Sequence, residues 1–321
     1  MKPPYEITQK ILNFVVSISQ MLGEIKATHL TKQSPELRKK NRIKTIQASL
    51  EIEGNTLSLD QVTAIFENKR VIGPATEILE VKNAVQAYEE IESFKANSKV
   101  SFLKAHGILM NDLVEEAGKF RTQSVGIVAG NKVKHVAPPG KIVPELMDNL
   151  FDYLKNDSDP SIIKSCVFHY EMEFIHPFMD GNGRLGRLWQ SKILSEEFPI
   201  FLYLPLESLI KEKQAMYYDV LGRCDKCGKS TEFIEFMLEI ISEQLSSITE
   251  KPRNESLNQN DRLKIAETEF LDQCFSRSKY LALFKEISSA SASRDLAFGV
   301  ESGILRKIGE KRLSEYQFVK N

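Results

Sequence analysis

Apolar residues recur along most of this chain at three- and four-residue intervals, the period of a helix that buries one face. Ile7, Ile11, Phe14, Val15, Ile18 and Leu22 form the first such stripe. Asn13, Ser17, Ser19 and Gln20 interrupt its apolar run, so the spacing predicts an amphipathic helix and not a signal sequence. A polar, basic stretch from Lys32 to Lys44 follows, then a candidate helix from about Ile43 to Leu50 that stops at Gly54-Asn55. Helical spacing returns with Ile78, Val81, Val85, Tyr88 and Ile91, with Phe102 to Leu113, and with Val143 to Leu154. It returns once more with Ile162, Ile163, Cys166, Val167, Tyr170 and Phe174. Residues 124–140 break the pattern. Val125, Ile127, Val133 and Val136 flank Gly130-Asn131, and Pro138-Pro139-Gly140 follows, which predicts a short β-hairpin.

Residues 246–261 are polar and carry Pro252, as a linker does. At 321 residues the chain is long enough for two or three domains, and a charged fraction of 27% with 42% hydrophobic residues is that of a soluble globular protein. The net charge of −1 gives no global attraction to nucleic acid or an anionic membrane. No apolar run approaches the roughly 20 residues of a membrane-spanning helix. Cys166, Cys224, Cys227 and Cys274 are too few for a disulfide framework, and the expected location is the cytoplasm. Cys224 and Cys227 make half of a zinc site with no second pair or nearby histidine, so no metal is expected there.

The densest chemistry lies in residues 176–187, His-Pro-Phe-Met-Asp-Gly-Asn-Gly-Arg-Leu-Gly-Arg. A helix ends near Ile175, and Pro177 disfavours helix at His176. Gly181 and Gly183 permit a tight turn and leave their N–H groups uncovered. Arg184 begins a new helix, whose N-terminus is a natural phosphate site. Arg184 and Arg187 share a helical face and can reach successive phosphates. Asp180 supplies a hard oxygen where a Mg2+ bridging phosphates would sit, and His176 can take a proton near neutral pH. Residues 181–186 also match G-x-G-x-x-G. That dinucleotide motif needs a preceding strand, and the preceding segment here is helical.

The string resembles the Fic family signature H-P-F-x-[D/E]-G-N-G-R-x-x-R and matches it at every specified position. Gly118-Lys119-Phe120-Arg121 with the hairpin is similar to the family's flap region, and Glu80-Val81-Lys82-Asn83 to its upstream helix. The resemblance implies a mainly α fold: a Fic-type helical core with a β-hairpin flap. It implies transfer of AMP from ATP to a Ser, Thr or Tyr hydroxyl of a protein, the chain itself included, with His176 as general base and Asp180 holding Mg2+. ATP would be bound by Glu53, Phe178, Gly181, Asn182, Gly183, Arg184, Leu185, Gly186, Arg187 and Lys213. Arg184 would take the β-phosphate and Arg187 the γ-phosphate. Relatives often carry Asn a few residues before a Tyr-Tyr pair lining the nucleotide pocket. Here Lys213 precedes Tyr217-Tyr218.

Ser49-Leu50-Glu51-Ile52-Glu53-Gly54 resembles the family's inhibitory motif [S/T]-x-x-x-E-[G/N], which implies autoinhibition by Ser49, Glu53 and Gly54. The carboxylate of Glu53 would pair with Arg187 and misalign the α-phosphate of ATP. A target strand could add to the hairpin edge. The last 60 or so residues resemble the winged-helix domains appended to many Fic proteins, with Arg294 on the groove-reading helix and a basic turn at 307–312. From residue 253 onward the chain carries twelve basic and ten acidic residues, a net charge of +2 and a thin footprint for DNA. The implied module would contact DNA or protein. The expected organisation is an N-terminal helical region over 1–95, the Fic core over 96–247, a linker over 248–261 and the winged helix over 262–321. A homodimer is compatible with this. Two further readings use the same residues: hydrolysis of AMP-protein with Glu53 orienting a water, and a DNA-binding, nucleotide-sensing regulator. The complete His176-to-Arg187 set argues against the second, because sensing needs no base.

Overall fold

Helices dominate, as the apolar periodicity predicts. The computed structural model describes residues 2–27, 34–129, 132–249, 257–284, 287–309 and 314–319. They divide into two units, residues 1–23 with 41–249, and residues 24–40 with 250–321. The chain opens with α1 (Gln9–Ala27), α2 (Pro35–Ile52), α3 (Leu59–Phe66), α4 (Ala75–Glu89) and α5 (Lys99–Leu109). After the hairpin strands β1 (Gly126–Ala129) and β2 (Lys132–Val136) come α6 (Val143–Asn156), α7 (Ser161–Ile175) and α8 (Asn182–Glu197). Then follow α9 (Leu206–Glu212), α10 (Gln214–Cys227) and α11 (Thr231–Thr249). No described helix is long and apolar enough to cross a membrane.

Helix α2 starts well before the expected Ile43. Ser34 accepts from the Leu37 N–H at 3.2 Å, Pro35 opens the helix and Glu36 sits in its first turn. That is a full start signal, and it outweighs the polar composition of the stretch. At the other end Gly54 adopts φ 95°, the left-handed conformation that stops a helix.

Around α8 the first unit is densest, because α8 is buried on nearly every face. Phe102 of α5 meets Phe151, Phe168, Phe178 and Trp189 with ring centroids 5.1–5.8 Å apart. The Trp189 indole N–H, which needs an acceptor when buried, donates to Ala96 O at 3.0 Å. The hairpin forms as predicted: β1 and β2 pair antiparallel, Gly126 opposite Val136 and Ala129 opposite Lys132. Its expected turn, Gly130-Asn131, lies outside the described residues.

The second unit contains α12 (Gln259–Phe270), β3 (Phe275–Ser276), α13 (Arg277–Leu283), α14 (Ser289–Glu301), β4 (Leu305–Ile308) and β5 (Glu315–Phe318). Its antiparallel sheet has the order β3-β5-β4. Polar residues at the end of the predicted linker begin α12, where Asn258 and Asp261 form a reciprocal capping box. Phe275, Tyr280, Phe284, Leu296 and Leu305 make a separate core. Arg262 grips Asp295 there with two bonds, at 2.6 and 2.9 Å. Lys264 pairs with Glu36 in the same unit. Of the expected basic turn, Lys307 and Ile308 lie in β4, and residues 310–313 are outside the described set.

Candidate active site

Residues 176–181 form a loop between the C-terminus of α7 and the N-terminus of α8. The last helical bond of α7 runs from His176 N to Met172 O, and His176 itself turns left-handed, at φ 49° and ψ 61°. Pro177 keeps position 176 out of the right-handed helical region, which ends α7 there. Phe178 is fully buried and stacks on His106 with ring centroids 3.6 Å apart. Asn182 closes the turn: its side chain accepts from Phe178 N at 2.9 Å and donates to Phe178 O at 3.0 Å. Gly181, at φ 82°, lies so close to Met110 that a Cβ would come within 2.6 Å of its sulfur.

His106 braces the loop from below. Its Nδ1 accepts from Gly118 N–H at 2.8 Å, so Nε2 carries the proton and donates to Asp180 O at 2.9 Å. Burial lowers its pKa to about 4, which keeps this neutral tautomer in place. The Asp180 carboxylate stays open to solvent, 59% exposed; one oxygen accepts from Gly181 N–H at 2.6 Å and the other meets Arg184 at 2.9 Å.

Both arginines are buried on α8, and each is paired with an acid. Arg184 bridges Asp180 and Glu80, each at 2.9 Å. Arg187 donates to the Ser49 hydroxyl at 3.1 Å, to Ser49 O at 2.9 Å and to Glu53 at 2.7 Å. Burial opposes the Arg187 charge, but the Glu53 carboxylate outweighs it and holds the guanidinium charged. Glu53 hangs over the start of α8: a Cβ on Gly183 would collide with its carboxylate, and glycine leaves the space. The structure therefore brings together Ser49, Glu53, His176, Phe178, Asp180, Gly181, Asn182, Gly183, Arg184 and Arg187, with Gly54 in the turn that follows α2.

Leu185 is fully buried, and Gly186 packs against His169 and Glu173 on α7. Lys213 points elsewhere, its ammonium on Glu243 at 2.6 Å and Glu239 at 3.4 Å of α11. Its neighbour Gln214 donates to Ile52 O at 2.9 Å, beside Glu53. The tyrosine pair splits: Tyr217 is buried, with its hydroxyl 3.1 Å from His169, and Tyr218 is 41% exposed. Burial, reinforced by Glu53, lifts the Glu173 carboxyl to about 7, with Arg187 pulling the other way. Among the described residues no cluster of three or more acidic, histidine or cysteine side chains could hold a metal.

Sequence reasoning assigned no role to His106, Glu80 or Arg121. Glu80 and Arg121 lie in strings that resemble the family, but nothing in those strings reveals their partners.

A family model described as Fic/DOC family matches residues 98–194. Protein adenylyltransferase fic-1 of Caenorhabditis briggsae is 34% identical over 188 residues, which are 53% of this chain and 35% of the relative. Protein adenylyltransferase Fic of Nematostella vectensis is 30% identical over 203 residues, 58% of this chain and 44% of its own length. This chain thus spans less than half the length of these curated relatives. Fic-1 (residues 134–508) of C. elegans shares the fold, with a TM-score of 0.60 over 74% of each chain at 23% identity. The crystal structure of a Fic family protein from Desulfovibrio desulfuricans G20 is 36% identical, with a TM-score of 0.76 over 100% of this chain and 99% of that one. With that agreement along its whole length, and with the matched segment holding the His176-to-Arg187 loop, the chain belongs to the Fic family.

Proposed function

We propose that this chain is a protein adenylyltransferase, held inactive by Glu53. The observation that carries the proposal is an anion already seated in the cradle: the Glu53 carboxylate lies over Gly183 and grips Arg187 at 2.7 Å. A phosphate of ATP would bind the same guanidinium and the same helix N-terminus. Arg184 would hold the neighbouring phosphate once Glu80 and Asp180 rearrange around it. The half-exposed ring of Tyr218 would flank the adenine of ATP. His176 would take the proton of a target hydroxyl as its oxygen attacks the α-phosphorus, and pyrophosphate would leave in line. The names of the adenylyltransferase relatives support this chemistry.

Asp180 fits a Mg2+ ion as a solvent-open carboxylate at the mouth of the cradle, free to take the ion once Arg184 turns to a phosphate. Mg2+ keeps most of its waters and takes few protein ligands beside substrate phosphates. When bound, it would neutralise charge on those phosphates.

We read the C-terminal unit as a winged helix, from its order α12, β3, α13, α14, β4, β5 and its three-stranded sheet. Arg294 is exposed on α14, the helix that would meet DNA or a protein partner.

The test of the brake has a sign. Glu53→Gly should raise incorporation of labelled AMP, by about 10- to 150-fold for a coupling of roughly 1.4 to 3 kcal/mol. Arg187→Ala in the same background should cancel the gain, since brake and phosphate compete for that group. Unchanged or reduced labelling in Glu53→Gly sinks autoinhibition and leaves the assignment of the loop standing.

A further inference from the structure

Arg121 is 1% exposed, and no carboxylate among the described residues pairs with it. Its guanidinium is spent on four carbonyl oxygens. Nε donates to His176 O at 2.6 Å and Nη1 to Gln123 O at 2.5 Å. Nη2 donates to Pro138 O at 2.7 Å and to Ile175 O at 3.1 Å. The Arg121 main-chain N–H adds a bond to Pro177 O at 2.9 Å. These acceptors fall into two groups. Ile175, His176 and Pro177 are the end of α7 and the start of the loop. Gln123 lies just before β1 and Pro138 just after β2, so they are the two legs of the hairpin. The legs are themselves pressed together, for a Cβ on Gly140 would collide with Thr122 O.

Burying an arginine without a counter-ion is costly, and an apolar side chain could fill the space without that cost. The cation is stabilised here by the carbonyl end of α7, where helix dipole and unpaired oxygens favour positive charge. Those same oxygens belong to the backbone that holds His176 left-handed. One rigid, planar fork thus fixes the backbone of the base and both ends of the hairpin at once.

We propose that Arg121 is a positioning residue that sets His176 in its left-handed conformation and ties its placement to the closed stem of the hairpin. A target segment lying along the hairpin is then registered against the base through this guanidinium. The proposal rests on the reading of His176 as the base.

The experiment compares Arg121→Lys and Arg121→Met, each in the full-length chain and each combined with Glu53→Gly. Methionine keeps the bulk and loses every donor; lysine keeps the charge but cannot span both groups of carbonyls. Hydrogen exchange should rise by about tenfold or more in 174–180 and in both legs, 119–125 and 137–141, together, with α11 unchanged. Affinity for ATP by calorimetry should stay within about twofold, since the phosphates are held by other groups. In the Glu53→Gly background, AMP incorporation should fall by about 10²-fold for methionine and less for lysine, the cost of a misplaced reacting group. Faster exchange in only one of the two groups, or in neither, overturns the coupling. A parallel rise in α11 with loss of ATP affinity makes Arg121 a general packing residue and overturns it as well. Should methionine prevent folding, the lysine variant decides by the same measurements. Should the Glu53→Gly parent itself fail to label, the transferase reading falls, and exchange still decides the coupling.

Discussion

Holding a histidine at φ 49° costs about 1–2 kcal/mol, and the surrounding bonds must over-determine it. They do so from both sides: Met172 O fixes the His176 N–H and Arg121 holds its carbonyl. The groups proposed to hold the phosphates belong to α8, and their bonds do not involve the imidazole. In the Glu53→Gly background, replacing His176 with alanine should therefore abolish AMP transfer, by about 10² to 10⁴ in rate, with ATP affinity and melting temperature nearly unchanged. Labelling close to that of Glu53→Gly alone would remove His176 from the chemistry. Most residues of the candidate site were readable in the twelve-residue string, because chemistry and turn geometry both leave their mark on adjacent positions. The braces were not. His106 reaches Asp180 across 74 positions and Glu80 reaches Arg184 across 104, and each looks like an ordinary polar residue on its own helix. Lys213, expected beside the nucleotide on family resemblance, pairs its ammonium with Glu243 of α11.

At the level of elements, periodicity announced the helices that bury one apolar stripe and the hairpin that alternates around Gly130-Asn131. It missed the first turns of α2, whose residues are polar and whose start is written only in Ser34-Pro35-Glu36. Helix α9 hid a different feature. Glu207 is 1% exposed on it; one carboxyl oxygen accepts from Tyr88 at 3.2 Å, and the other makes no well-formed hydrogen bond, although the Thr45 hydroxyl lies near the carboxyl group. Burial raises its pKa from 4.5 to about 7, against the pull of Arg187. The sign follows: the folded state holds this proton more tightly than the unfolded chain, so its contribution is full below about 4.5 and is lost as pH rises through 7. Glu207→Gln should leave stability near pH 5 little changed and raise it at pH 8, by an amount on the order of a few kcal/mol. Melting temperatures of both chains across that range check it. Equal slopes with pH would show that Glu207 is ionised in the folded protein.

For the molecule as a whole, the question is which unit governs the proposed brake. Helix α2 carries Ser49 and ends just before Glu53, and residues 41–52 of it group with the first unit. They are anchored there by Asn41, which donates to Tyr203 O at 3.0 Å, and by the bonds of Arg187 to Ser49 and Glu53. Residues 35–40 group with the C-terminal unit, where Glu36 meets Lys264. That pair is 58% and 50% exposed on its two side chains, and such pairs are worth about 0.2–1 kcal/mol. The bonds that seat the brake are buried ones within a unit that has its own core. Removal of residues 250–321 should accordingly leave a cooperatively melting, helical protein that binds ATP. Its labelling should remain low, and Glu53→Gly should activate it by the same factor as in the full chain. Circular dichroism and the ratio of AMP incorporation with and without Glu53 measure both points. A truncated chain that labels as fast as its own Glu53→Gly variant would mean that the C-terminal unit, through the first turns of α2, is what keeps Glu53 on Arg187.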